Sequence, residues 1–280
     1  MNNNDPFAPV AGGRAQKTTE SKPTRTTVVP VPADAPPPPE SHPKLGKPTA
    51  RWCYTDAGGA TLGFVLRFDA ADDKQFRPLT YARPETGGSP VWRWESWPPQ
   101  RPLYGLDSLA QHPDAAVVVT EGEKAADATA HLLPGLVAVT SPNGSKSAGK
   151  ADWAPLRGRA VTVWPDADAP GLEFAHQVAK LATAAGAVSV AIVSPPANSK
   201  VGWDAADALA DGWDEVHTAA FIATAKPYMP ARLATGKTGV TTETQNTTAD
   251  ADAAHQGGGG WFGWQSPQAH AATGRVDRMH

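Results

Sequence analysis

The chain has 280 residues and a formal net charge of −3, and it contains 28 prolines, 26 glycines and a single cysteine. One cysteine excludes an intramolecular disulfide, a cysteine-rich zinc module and an iron–sulfur cluster. No apolar run approaches the roughly 20 residues of a membrane span, and the balanced charge argues against salt-driven binding of duplex DNA by this chain alone. We therefore expect a cytoplasmic protein with no membrane partner and no zinc.

Proline and small polar residues are concentrated at the two ends of the chain. Residues 1–50 mix proline, threonine, alanine and scattered charge without a hydrophobic period, which is typical of a disordered leader. Residues 229–280 form a second such segment and are predicted to be a disordered tail. The part between them is long enough for one ordinary domain and a small companion.

A small β-rich domain is predicted over residues 51–114. Two β-rich runs around Gly58-Gly59 indicate a hairpin. Further β-rich runs at 76–81 and 91–94 extend it into an antiparallel meander, and a short helix is expected over 103–109.

Residues 115–228 alternate between apolar strands and helices. Strands are predicted at four apolar runs, 117–120, 137–139, 160–164 and 189–193. Helices are predicted in the longer segments that follow the first, third and fourth of these runs. This alternation predicts an α/β fold with a Rossmann-like, four-stranded, mainly parallel sheet flanked by helices.

Acidic residues follow three of these strands. Glu121 follows the first strand, Asp166 and Asp168 follow the third, and Asp204 and Asp207 come after the fourth. Because the carboxyl ends of parallel strands meet at one edge of a sheet, these side chains are expected to converge. An extended Asp-x-Asp segment points both carboxylates the same way, as ligation of a hard cation requires. The pattern predicts a site for one or two Mg²⁺ ions, with Mn²⁺ as an alternative.

Two motifs at these positions resemble the signatures of the Toprim domain of primases, topoisomerases and some nucleases. They are VVTEGEK, which ends at Lys124, and WPDADAPG, which ends at Gly171. The Glu-Gly-Glu-Lys form is most similar to primases of phages, plasmids and other mobile elements, and residues 51–114 resemble the small domain that precedes Toprim in them. The resemblance implies synthesis of RNA primers on single-stranded DNA from nucleoside triphosphates, by two-metal phosphoryl transfer.

The resemblance also implies a role for each carboxylate. Glu121 would be the catalytic acid/base and a metal ligand, and Asp166 and Asp168 would hold the metal. Asp204 and Asp207 would bind a second ion. The alternative for each one alone is an ordinary helix cap or a solvated helix face, since acidic residues favour helix N-termini.

Other residues are candidates for contacts with the substrate and the template. Lys124 and the backbone of Asn143 and Gly144 would touch phosphate, and Arg77 and Arg101 would bind nucleic acid. The alternative for Lys124 is a solvated helix position. For the arginines it is the exposed face of a small β-domain whose core contains the tryptophans.

Related primases usually carry an N-terminal zinc-binding module, which a single cysteine excludes, and many continue into a helicase domain. The hypothesis therefore includes a separate helicase or zinc-binding partner protein. Two alternatives stay open. One is a Toprim nuclease that cleaves DNA phosphodiesters, and the other is a non-catalytic module that binds nucleic acid or a replisome.

Overall fold

The structure is a computed structural model that describes residues 25–70, 73–85 and 87–229. Ten strands form two sheets. The strands are β1 (Arg25–Thr27), β2 (Ala50–Thr55), β3 (Thr61–Ala70), β4 (Asp73–Pro84), β5 (Val91–Arg93), β6 (Val117–Thr120), β7 (Val137–Val139), β8 (Ala160–Trp164), β9 (Ser189–Ile192) and β10 (Lys226–Pro227). The α-helices are α1 (Leu106–Gln111), α2 (Glu123–Leu132), α3 (Ala169–Ala185), α4 (Ala205–Ala210) and α5 (Glu215–Ile222). Two short 3₁₀ segments are Ser145–Lys150 and Ala154–Leu156.

Strands β1 to β5 form an antiparallel sheet, called here the meander sheet, in the order β1-β4-β3-β2 with β5 also paired to β4. Successive side chains of a strand point to opposite faces. One face therefore presents Trp52 and Tyr54 to a core with Trp97, while the other buries Leu66 and Leu79. The predicted antiparallel meander is confirmed.

The predicted disordered leader is wrong for residues 25–49. Strand β1 pairs with Ala82–Pro84 of β4, and Val31 donates its N–H to the carbonyl of Thr61 at 2.7 Å. The indole of Trp92 donates to the Pro36 carbonyl at 2.7 Å, and the ring of His42 packs on Trp94. Proline-rich backbone has few donors, but its carbonyls still accept, and its stiffness lowers the entropy cost of docking. The leader up to residue 24 and the tail from residue 230 lie outside the described residues.

Strands β6 to β10 form the second sheet, called here the parallel sheet, in the order β10-β9-β8-β6-β7. Strands β6 to β9 are parallel, as predicted, and the two-residue strand β10 adds an antiparallel edge that no sequence pattern indicated. Val117 and Val119 pack towards α3, whereas Val118 packs towards α2 and α4. Helices thus cover both faces, which explains why these strands are continuously apolar. Among the described helices, none has the length and apolarity needed to cross a membrane.

Candidate metal site

Three loops bring carboxylates to the same edge of the parallel sheet. Strands β6 and β8 are neighbours in parallel register, with Thr120 beside Trp164. Glu121 leaves the end of β6, and Asp166 lies two residues beyond β8. The two side chains therefore emerge at the same level, as the order of the strands predicted.

The loop after β8 is hydrogen-bonded to the loop before α4. Ala167 donates its N–H to the carbonyl of Trp203 at 2.9 Å, and Gly202 donates to the carbonyl of Ala167 at 3.2 Å. These bonds place Asp204, the first residue of the α4 cap, next to Asp166 and Asp168. Glu121, Asp166, Asp168 and Asp204 together are called the carboxylate rim below.

The carboxylate rim rests on a buried aromatic cluster. Trp164 is 1% exposed, and its ring centroid lies 6.0 Å from that of Trp203 and 5.0 Å from that of Phe221. Trp164 precedes Pro165-Asp166 and Trp203 directly precedes Asp204, so the packing of these rings holds both loops. An apolar floor also lowers the local polarity beneath the carboxylates, which strengthens their interaction with charges.

The carboxylates of the rim act on one another. Burial raises the pKa of Glu121, as do the charges of Asp168 and Asp204, while hydrogen bonds from Ser145 oppose the shift. Burial and, after it, the charges of neighbouring carboxylates, led by Glu121 and Asp204, together raise the pKa of Asp166 to about 8. Repulsion and burial together mean that Glu121 and Asp166 favour a bound proton or a bound cation over two free charges.

The residues of the rim fit a hard divalent cation. In the part of the chain that the structure describes, no three His, Cys, Asp or Glu side chains already form a set that could hold a metal ion. Mg²⁺, however, is usually bound through one or two carboxylates with waters and substrate phosphates rather than in an all-protein cage. Glu121 Oε2 is buried and has no hydrogen-bond partner among the described residues, so it has a lone pair to offer. Asp166 and Asp168 are the side chains that would hold the ion, and the free Glu121 oxygen would accept a proton from a hydroxyl group near it.

Asp168 and Asp204 also act as helix caps, the role that was the alternative for each. Asp168 Oδ1 accepts from the N–H of Gly171 at 2.7 Å, and Asp204 Oδ1 accepts from Ala206 at 2.8 Å. A Cβ at Gly171 would collide with the backbone of Asp166, so glycine permits this tight turn into α3. Both caps use Oδ1, which leaves Oδ2 as the atom through which either residue could contact a cation.

Asp207 differs from the other predicted ligands because it has a cationic partner. Lys200 Nζ lies 2.8 Å from its Oδ1, and Asp207 Oδ2 accepts from the N–H of Asp204 at 3.3 Å. Burial alone would raise the pKa of Asp207, but these two hydrogen bonds and the charges of Lys200 and Lys124 lower it. The predicted role of Asp207 in a second ion site would require competition with Lys200. Lys124 is exposed at the start of α2, within electrostatic reach of Asp207.

The predicted phosphate loop lies beside the rim. Asn143 and Gly144 follow β7 and both have positive φ, at 75° and 69°. The Asn143 amide donates to Ser96 Oγ at 3.1 Å, and Gly144 leads into the 3₁₀ segment whose first residue, Ser145, lies close enough to Glu121 to oppose the rise in the pKa of that carboxyl. No sequence pattern indicated a role for Ser145, and only its position directly after this loop could have suggested one.

The two arginines predicted to bind nucleic acid lie on opposite faces of the meander sheet. Arg77 pairs across from Leu66 and shares its face. Arg101 donates its Nε to the carbonyl of Trp97, which belongs to the core on the other face, and burial lowers the pKa of Arg101. Its backbone bonds to Lys150, beside the phosphate loop. The two side chains therefore do not line one groove, and Trp97 is a core residue at 4% exposure.

A cavity of about 500 Å³ lies away from the carboxylates. It is lined by β1 and by the segment that contains Trp97 and Gln100, with Asp152 at its side, and no residue of the carboxylate rim contributes to its wall. We place the candidate site at the rim, because half-buried carboxylates converge there from three loops.

No protein-family model matches the chain, and no curated protein matches it in sequence. Its structural neighbours are catalytic domains of DNA primases, the class that the two motifs resemble. One is in an assembly of bacteriophage T7 lagging-strand DNA polymerase with the primase domains of two gp4 subunits, an RNA/DNA hybrid and dTTP; it is 18% identical, with a TM-score of 0.46 over 64% of this chain and 78% of that one.

Two bacterial primases are similar to the same degree. The zinc-binding and RNA polymerase domains of the Aquifex aeolicus primase are 16% identical, with a TM-score of 0.44 over 63% of this chain and 40% of that one. A DNA primase domain from Pseudomonas aeruginosa is 16% identical, with a TM-score of 0.47 over 67% and 56%. This chain thus spans about half the length of these two structures. Any function has to be inferred from its own residues.

Proposed function

We propose that this protein is a Mg²⁺-dependent, primase-like nucleotidyltransferase that synthesises RNA primers on single-stranded DNA during replication of a mobile element. The observation that carries the proposal is the carboxylate rim, in which half-buried, mutually repelling carboxylates meet at the carboxyl edge of the parallel sheet. Such an edge is where open α/β sheets bind their ligands. The two motifs at the same residues resemble those of primases.

Each residue of the rim has a chemical task in this proposal. A bound Mg²⁺ would neutralise the triphosphate and stabilise the leaving oxygen. Glu121 Oε2, which is buried without a hydrogen-bond partner in the described ranges, would accept the proton of the attacking 3′-hydroxyl. Its raised pKa suits a general base at neutral pH. Asp166 and Asp168 would hold the metal, and Asp204 with Asp207 would hold a second ion.

The surroundings of the rim would hold the substrate. Lys124 and the backbone N–H groups at Asn143 and Gly144 would bind phosphate oxygens, because positive-φ turns present successive amides to an anion. Arg101, which lies beside this loop, would contact the single-stranded DNA template. We also propose that a separate helicase or zinc-binding protein recognises the template, since a chain with one cysteine holds no zinc module.

Primer synthesis on single-stranded DNA with nucleoside triphosphates and Mg²⁺ or Mn²⁺ tests the proposal. We expect Asp166→Ala/Asp168→Ala to reduce synthesis about 100-fold or more, because the charges that hold the metal are lost. The matched control is Asp114→Ala, which removes an exposed carboxylate outside the site. Equal synthesis by the double variant and the wild type would overturn the proposal.

The same samples separate the two alternatives. Cleavage of DNA without added nucleotides would indicate a nuclease. Binding of single-stranded DNA with no heat of Mg²⁺ binding would indicate a non-catalytic module.

A further inference from the structure

Helix α2 turns an acidic face towards the meander sheet. The helix begins at Glu123, two residues after Glu121, and Asp127 follows Glu123 at a spacing of four residues, so the two carboxylates lie on one face. Opposite them are three donors from the meander sheet and the segment after it: Trp52, Tyr54 and Tyr104.

Each of these carboxylates is held by neutral donors. The Tyr54 hydroxyl donates to Glu123 Oε1 at 2.8 Å, and both residues are buried, at 0% and 5% exposure. Asp127 accepts twice, from Trp52 Nε1 at 2.7 Å and from the Tyr104 hydroxyl at 2.7 Å. These bonds join residues 23 to 75 positions apart in the chain and connect the meander sheet to the helix that starts at the rim.

The start of α2 has no capping side chain of its own. Its N-cap is Gly122, which has no side chain to make a cap hydrogen bond, although a Cβ there would meet no other atom within 4 Å. Helix ends without a cap are held by whatever else satisfies or packs against their first turn. Here the first residue of the helix, Glu123, is fixed by Tyr54, so the position of the 121–123 peptide depends on the meander sheet.

Holding helix α2 against the meander sheet would not by itself require carboxylates at Glu123 and Asp127. A buried carboxylate with one neutral donor loses much of its hydration, and apolar side chains of similar volume would stabilise the same contact at lower cost. Directional bonds fix rotation and translation of the helix, which apolar contacts fix less tightly.

We propose that Glu123 is a positioning residue, with Asp127 as its support, through which the meander sheet holds Glu121 in its working place on the rim. The inference rests on the proposed function in one respect, the catalytic role of Glu121.

Amide hydrogen exchange and kinetics on the full chain test this inference together. In Tyr54→Phe and Glu123→Ala we expect exchange over 121–126 to rise about fivefold, since one hydrogen bond is lost, while helix α3 exchanges at the wild-type rate. Glu123→Gln keeps an acceptor oxygen for Tyr54 and is expected to recover most of the protection. The matched control is Tyr81→Phe, because Tyr81 packs on Trp92 on the opposite face of the sheet.

Primer synthesis supplies the second readout. We expect kcat to fall about fivefold in Tyr54→Phe and Glu123→Ala, with KM for nucleotides within twofold of wild type, and Glu123→Gln to restore kcat. Tyr104→Phe, which removes a more exposed donor to Asp127, tests the same link if Tyr54→Phe does not unfold cooperatively. Exchange over 121–126 that equals wild type in the folded variants would overturn the inference. Faster exchange in a protein whose wild type makes no primers would support the positioning role and overturn the proposed function instead.

Discussion

Two groups of acidic side chains lie close together in the sequence but in different surroundings. On the carboxylate rim, Glu121 has a buried oxygen without a described partner, and the neighbours that act on Asp166 are other acids. On helix α2, Glu123 and Asp127 accept hydrogen bonds from tyrosine and tryptophan. The same chemical group is therefore a charge site where an oxygen is left without a donor and a structural anchor where its oxygens accept hydrogen bonds from tyrosine and tryptophan. The same Asp-to-Asn substitution in the two groups should therefore differ in its effect on Mg²⁺ affinity and have opposite effects on stability.

The largest expected difference is in the affinity for Mg²⁺. We expect Asp166→Asn to weaken binding about 100-fold or more, because a ligand and a negative charge are lost together. Asp127→Asn, the matched change on α2, is expected to weaken binding less than tenfold, because it acts only through the helix. Isothermal titration calorimetry measures both, and equal losses would show that the rim is not the metal site.

The second difference is in the pH dependence of that affinity. The metal binds the carboxylate and not the acid, so a group with a pKa of about 8 must release a proton first. Affinity is expected to rise about tenfold per pH unit between pH 6 and 8 and then to level off. Titrations in buffers of different ionisation enthalpy count the released protons. A wild type that binds Mg²⁺ with no proton release would contradict the raised pKa of Asp166.

The third difference is in the stability of the metal-free protein. The folded pKa of Asp166, about 8, lies above its ordinary value of 3.8, so the folded state binds more protons and loses stability as pH rises between these values. Asp166→Asn should therefore stabilise the fold by about 1 to 3 kcal/mol at pH 9 and by less at pH 5. Asp127→Asn should destabilise it by about 1 kcal/mol, because the amide nitrogen cannot accept a hydrogen bond.

Urea unfolding at pH 5, 7 and 9 without metal measures the sign of each effect. Destabilisation by Asp166→Asn at pH 9 would mean that the Asp166 carboxylate has hydrogen-bond or charge partners in the folded protein, as Asp127 does.

The sequence predicted the carboxylates of the rim better than it predicted the hydrogen bonds that Glu123 and Asp127 accept. Short apolar runs mark β6 and β7 to the residue, and the rule that parallel strands end at one edge brings Glu121 to Asp166 without further information. The role of Glu123 could not be predicted, because two acids four residues apart normally indicate a solvated helix face. Its partner Tyr54 lies 69 positions away, and only the tertiary fold brings the two together.

The docked leader was missed for a related reason. Periodicity identifies segments that bury a face in regular structure, and residues 25–49 have none. Beyond the three residues of β1, they are held by single contacts, such as the bond from Trp92 to the Pro36 carbonyl, that leave no trace in local composition.

The smallest expected effect concerns Asp207. It lies beside the rim but, like Glu123 and Asp127 on helix α2, its carboxylate has a side-chain partner, which is Lys200. Lys200→Ala removes an ion pair whose lysine side chain is 67% exposed, so water and salt already screen the interaction. The midpoint of thermal unfolding is expected to stay within about 2 °C of wild type. The pKa of Asp207 should rise, because the cation that lowers it is gone. If Asp207 contributes to a second ion site, freeing it from Lys200 should strengthen Mg²⁺ binding up to about threefold at low salt, and the gain should vanish at high salt. Weaker Mg²⁺ binding in Lys200→Ala would show that Lys200 organises the rim rather than competing with a metal for Asp207.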